Sequence, residues 1–233
     1  MLDKKWIGAL AVATVLLGGT ARSQAESFFY SDTPYYSTGD IPSGFYAGGS
    51  PAFLEDFEDG TLDGDILADT GGLQTSPWID SVDHDDGSID GSGSSGNSWV
   101  VTDSVTFTFD ATLPTAAALV LTDANPDFDH TGRTTSDMRF EAFGPGMVSL
   151  NTWDVLGFGD NDFKGKTLED RFFGVTDPGG ILAIKMTNVY GTTLEVDHVQ
   201  YGSSAVPEPS ALAAFSGLLG MGLIDWWRRR RAV

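Results

Sequence analysis

The chain has 233 residues, no cysteine and a formal net charge of −20, from 33 Asp and Glu against 13 Lys and Arg. The lack of cysteine excludes disulfide staples and thiolate chemistry, and the acidic excess makes nucleic acid and anionic membrane surfaces poor partners. The same carboxylates are natural ligands for hard cations such as Ca²⁺, and they equally keep a surface protein in solution. Lys4 and Lys5 open the chain ahead of an apolar stretch, Trp6 to Leu17, and small residues ending in Ser23-Gln24-Ala25. That is the layout of a secretory signal peptide over residues 1–25, with Ala21 as a second cleavage candidate. Residues 26–51, rich in Ser, Tyr, Pro and Gly, read as an extended arm or a poorly ordered lead-in.

The body follows over residues 52–205. Phe53 to Glu58 is the first strand candidate there, stopped by Asp59-Gly60. Residues 83–98 form a loop of Asp, Gly and Ser with a flexible centre at 91–96. Ser104 to Asp110 alternates apolar and polar residues, which marks a half-buried strand. Ala116 to Thr122 is a continuous apolar run fit for a central strand. Asp137 to Phe143 alternates again and ends at Gly144-Pro145-Gly146. Phe172 to Val175 and Ile181 to Met186 flank the turn Asp177-Pro178-Gly179-Gly180. Leu194 to Tyr201 alternates strictly, with His198 as an outward position. No body segment has a helical period. Short strands punctuated by Gly and Pro predict an all-β sandwich or jelly roll.

The C-terminus carries the most specific signal. Pro207-Glu208-Pro209 has two residues without a backbone N–H and φ held near about −65°, so the triplet stays extended and unpaired. An apolar run from Ser210 to Ile224 follows, then Asp225, Trp226, Trp227 and Arg228, Arg229, Arg230 and Arg231. The run enters a bilayer as a helix and the arginines hold its end in the cytoplasm. Its apolar core is shorter than the ~20 residues of an ordinary span. Together, triplet, helix and Arg cluster over residues 206–233 resemble the PEP-CTERM sorting signal of Gram-negative bacteria. That resemblance implies an exosortase-type membrane protease as partner, after signal peptidase and the secretion translocon. It implies a transient inner-membrane anchor with a cytoplasmic C-terminus, then release to the cell surface or exopolysaccharide matrix. Asp225 departs from the pattern, at an edge where the two tryptophans suit an interface. Without the two terminal segments the body keeps 6 basic and 30 acidic residues, a charge of −24, and Ser23 to Gly132 contains no Lys or Arg.

A second resemblance covers the body. The order of Phe57-Glu58-Asp59-Gly60, Phe140 to Gly146, Phe172 to Val175, Ile181 to Met186 and Val196 to Gly202 is similar to the β-sandwich body common in PEP-CTERM proteins. In outline it also resembles jelly-roll carbohydrate-binding modules. Those modules often tie first strand to last through a structural calcium ion. By that resemblance Glu58 and Asp197 map onto the ligand roles, with Asp56 as an addition; otherwise both are strand-end acids in solvent.

Other motifs are weaker. Asp160-Asn161-Asp162-Phe163-Lys164-Gly165 opens like an EF-hand loop, but Lys164 and Arg171 stand where oxygen ligands are needed, which leaves a turn. Asp83-His84-Asp85-Asp86-Gly87 has ligands in no recognised spacing. His84, His130 and His198 have no zinc-hydrolase spacing, and there is no Gly-x-Ser-x-Gly elbow. Trp78, Trp99 and Trp153 are the body's tryptophans, and Trp78 and Trp153 are the candidates for stacking on a sugar, the alternative being core packing.

The expected protein is therefore an all-β, jelly-roll-like sandwich ectodomain with an N-terminal signal peptide and a single C-terminal transmembrane helix. The expected role is non-catalytic, structural or carbohydrate-binding within extracellular polysaccharide, with calcium as the one cofactor. The alternatives are a polysaccharide-acting enzyme, which needs two facing carboxylates, or a stably anchored envelope protein facing the periplasm.

Overall fold

The computed structural model describes residues 27–75, 79–82, 96–109, 113–125, 134–159 and 170–205. These form two antiparallel sheets with no α-helix among them. The strands are β1 (Ser27–Tyr30), β2 (Phe53–Glu55), β3 (Ile66–Ala68), β4 (Gly72–Thr75), β5 (Asn97–Thr102) and β6 (Ser104–Phe109). β7 (Ala116–Ala124), β8 (Ser136–Gly144), β9 (Val148–Phe158), β10 (Arg171–Thr176), β11 (Ala183–Asn188) and β12 (Thr193–Gly202) complete the set. The seven-stranded sheet runs β1-β10-β7-β12-β5-β4 with β2 also beside β12, and the five-stranded sheet runs β3-β6-β11-β8-β9. The last eight strands pair in a nested series: β8 with β9, β7 with β10, β6 with β11, and β5 with β12. A long hairpin rolled on itself has this order.

The core lies between the sheets. Phe107, Phe109, Phe140, Met138, Ile184 and Met186 of one sheet meet Leu119, Leu121, Phe173, Val196 and Val199 of the other. On β8 the alternation read from Asp137 to Phe143 does its expected work: Met138, Phe140 and Ala142 are buried and Arg139 is exposed. The turn after β10 is closed by its own side chain, since Asp177 Oδ1 accepts from Gly179 N at 2.9 Å. Gly180 sits at φ 91°, a left-handed conformation that any other L residue would adopt at a cost.

The seven-stranded sheet is covered on its outer face as well. Residues 27–50 lie against the sandwich: β1 pairs with β10, and Tyr35, Phe45 and Tyr46 are buried with Val82, Ala118, Val120 and Phe172 in a second apolar cluster. Beyond β1 the arm is irregular, with a single 3-10 turn at Thr38–Asp40, and it is packed. Phe45 meets Phe172 edge-on at 5.0 Å over Gly174, where an added Cβ would stand 2.7 Å from the Phe45 ring. The glycine is what admits the phenylalanine. Because this face is covered, β7 is buried along its whole length and β12 at every residue after Thr193.

His198 is therefore not an outward position. It is fully buried, at φ 45°, and its Nδ1 lies 3.3 Å from the Tyr35 hydroxyl. Its backbone marks the break where β12 leaves β5 and takes up β2: Val196 pairs with Trp99, and Val199 with Glu55. The register against β7 slips at the same place, between Asp197 and Gln200.

Candidate functional site

The chemistry-bearing residues gather on the outer face of the seven-stranded sheet, beneath the segment 79–82. β12 presents Glu195 and Asp197, and β7 presents Asp123, the cross-strand neighbour of Glu195. Residues 79–82 cross above them. Asp80 N donates to Glu195 Oε2 at 2.5 Å, and Ser81 Oγ and Val82 N both donate to Asp197 Oδ2 at 2.9 Å. Asp197 Oδ1 accepts from His198 N at 2.6 Å. The Asp80 carbonyl accepts from the hydroxyls of Ser98 and Thr122. An irregular segment with no ladder of its own thus has its donors matched by two carboxylates on a central strand.

The electrostatics follow from burial. Glu195 is 6% exposed, and desolvation pushes its carboxyl up to about 8 against the lowering effect of the Asp80 N–H; Asp123 and Asp80 nearby raise it further. At neutral pH it is a protonated acid among acids, the electrostatic arrangement of a general acid. Yet it lies beneath residues 79–82, without exposure to a polymeric substrate among the described residues.

A second carboxylate site shapes the loop after β2. Glu55 is buried, which raises its pKa; its Oε1 accepts from Phe57 N at 2.8 Å and its Oε2 from Asp63 N at 2.5 Å. Glu58 Oε1 accepts from Asn97 N at 2.6 Å, while the Asn97 side-chain amide donates to the Phe57 carbonyl at 3.0 Å. This reciprocal pair ties the loop to the start of β5. Phe57, between them, is held at φ 62° with its ring in the core.

The residues expected to hold calcium thus all have backbone partners. Asp197 holds Ser81 and Val82, Glu58 holds Asn97, and Asp56 Oδ1 accepts from Glu58 N at 3.2 Å. No cluster of three or more His, Asp or Glu suited to a metal ion occurs among the described residues. Each of the three carboxylates thus serves as an acceptor for irregular backbone. Trp153 lies on β9 and stacks on Phe28 of β1 at 4.8 Å and 16°, closing one flank of the sandwich. Trp99 donates through Nε1 to the Thr70 carbonyl at 2.8 Å. Trp78, Pro207, Glu208, Pro209, Arg228 to Arg231, the run from Ser210 to Ile224 and the loops at 83–90 and 160–165 lie outside the described residues. No helix of the described residues is long and apolar enough to cross a membrane.

Glu195, Asp123 and Asp80 form the group that sequence reasoning missed. One local signal was present: an acid two residues before the N–H it accepts from recurs in Glu55 with Phe57, Asp59 with Thr61, Asp63 with Asp65, and Asp177 with Gly179. It marks where acids serve as turn acceptors, and it does not reach contacts distant in sequence. No protein-family model matches the chain, and no curated protein is significantly similar to it in sequence.

Proposed function

We propose that the chain is an exported, non-catalytic surface or matrix protein, delivered through a PEP-CTERM-type signal and built to lodge in extracellular polysaccharide. The observation that carries this reading is the C-terminal order of Pro207-Glu208-Pro209, apolar run and four arginines, in a chain that also opens with a secretory signal. The body supports it. Its nested strand pairing is the order of a jelly roll, two Greek keys folded face to face. Its acids act as internal acceptors for loops, which suits a cysteine-free domain that must hold irregular segments without disulfides.

The test is the intact mass and location of the chain in a Gram-negative host, beside Glu208→Ala. Sorting predicts a product that starts near residue 26, lacks the residues beyond the PEP triplet and is found outside the inner membrane. The Glu208→Ala chain should then accumulate uncut in that membrane. An unsubstituted chain that keeps Arg228 to Arg231 in the inner membrane would instead establish a permanent anchor.

A further inference from the structure

β9 ends the five-stranded sheet, and nothing among the described residues pairs with its outer side. The other sheet ends are short: β1 and β4 have 4 residues and β3 has 3. Short edges protect themselves, as do edges bearing Lys or Pro. β9 has 11 residues, neither Lys nor Pro, and one charge, Asp154. That charge is matched within its own sheet, because Arg139 Nε on β8 meets Asp154 Oδ1 at 2.8 Å. From Asn151 to Val155 the pairing with β8 is regular, and the register slips lie on either side of this run. Val148 and Leu156 are 59% and 75% exposed. The edge is long and regular over Asn151 to Val155, with a register slip on each side of that run.

We propose that β9 pairs antiparallel with β9 of a second copy of this chain, joining two five-stranded sheets into one continuous sheet. The charge distribution selects a copy as the occupant. At a formal −20, two copies repel over most of their surface. The five-stranded sheet is closer to balance: Arg139 pairs with Asp154, Lys185 of β11 stands opposite Glu141 of β8, and Asp137 of β8 is engaged by Gly157 N and the Tyr190 hydroxyl. A neutral edge offers no charge attraction to a basic or acidic strand, while a second neutral edge of equal length meets it along its whole run. The sequence is also self-compatible. With the two-fold axis at Trp153, Thr152 of each copy faces Asp154 of the other, so no like charges stand directly opposite. Trp153, half-buried against Phe28, gains a cover on its open side. The inference goes beyond the proposed export route and holds or fails without it.

The absence of cysteine gives a clean test. Thr152→Cys on β9 and Leu67→Cys on β3, an exposed position at the far end of the same sheet, are each made in the full chain in detergent and treated with a short bismaleimide. The expected result is at least tenfold more covalent dimer for Thr152→Cys than for Leu67→Cys. Adding Val148→Asp and Leu156→Asp to Thr152→Cys should abolish that dimer while leaving the melting temperature unchanged, since both positions are exposed. Equal dimer from both cysteines would show association through the apolar tail or another surface and overturn the proposal. So would no dimer from Thr152→Cys, as with an edge that takes a foreign strand or a sugar chain. A dimer that persists in a folded double-Asp variant overturns it as well.

Discussion

The two sheets share one core and treat their outer faces in opposite ways. The five-stranded sheet leaves its outer face to solvent: β8 alternates, and Arg139, with its Asp154 partner, stands exposed. The seven-stranded sheet is roofed by the arm and by residues 79–82, so β7 and β12 are buried on both sides. Half of that roof is apolar, through Tyr35 and Phe45 packed on Phe172 of β10. The other half is polar, and carboxylates of β12 hold it down by accepting backbone N–H donors. The contrast shows what a carboxylate does in each setting. On the open sheet Asp154 is one partner of an ion pair in water. Under the roof Glu195 and Asp197 accept the backbone N–H groups of Asp80 and Val82, in a segment that forms no strand among the described residues.

Asp197→Ala should damage the polar half of the roof most. It removes the acceptor of Ser81 Oγ, Val82 N and His198 N in a buried place. Each orphaned donor costs about 1–3 kcal/mol, which predicts a total loss of roughly 3–5 kcal/mol once the segment relaxes. At about 2–4 °C per kcal/mol for a domain of this size, the melting temperature should fall by about 6–20 °C. The drop should be the same in excess chelator. A difference between parent and variant that disappears on chelation would mean that Asp197 works through a bound cation.

Glu195→Gln should act through pH. In the unfolded chain Glu195 ionises near its ordinary value of 4.5, and in the folded chain it keeps its proton up to about 8. Between those values the folded state binds one more proton, so stability is full below 4.5 and falls as the pH rises through about 8. The slope is at most about 1.4 kcal/mol per pH unit from this group. Glutamine keeps an oxygen for the Asp80 N–H and never ionises. The variant should match the parent near pH 5, exceed its stability by a few kcal/mol near pH 9, and show a flatter profile between. Denaturant midpoints across that range decide it, and a parent profile that is flat or rising from pH 5.5 to 8.5 would refute the account.

In both sheets the legible strands are those with a regular period or a continuous apolar run, as Ala116 to Thr122 for β7. Ser104 to Asp110 and Asp137 to Phe143 were read nearly to their observed ends because a half-buried strand carries its own period. β12 was legible as a strand and not as a buried one: Leu-Glu-Val-Asp-His alternates as if one face met water, and nothing local announces a roof. The bonds that make the roof join Glu195 to Asp80 and Asp197 to Val82, each pair separated by 115 residues. β5 was hidden by the Gly-Ser loop before it. β9 was hidden by its own irregularity, since two register slips interrupt the period and Asn151, Asp154 and Gly157 look like turn residues. Positive φ at His198 and Phe57 was out of reach for the same reason: strain at a non-glycine residue is set by the strands that grip it.

The smallest expected effect is on the open side of the comparison. Arg139→Ala removes a two-pronged ion pair, Nε to Oδ1 at 2.8 Å and Nη2 to Oδ2 at 3.3 Å, from the outer face of β8 and β9. The bond holds the Asp154 carboxyl below its ordinary value and the guanidinium above its own. Both side chains are nearly half exposed, 44% and 47%, so water and salt replace what the pair provides. The melting temperature of Arg139→Ala should therefore match that of the parent at physiological ionic strength. Removing the arginine should nonetheless change association, because it leaves Asp154 as a bare negative charge on the edge where two copies would meet. Stability and dimerisation should separate at this residue: cross-linking through Thr152→Cys falls in the Arg139→Ala background while the melting curve stays in place. A variant that loses stability and cross-linking together would show that the pair holds β9 onto the sheet, and that the contrast between the two faces is smaller than their burial indicates.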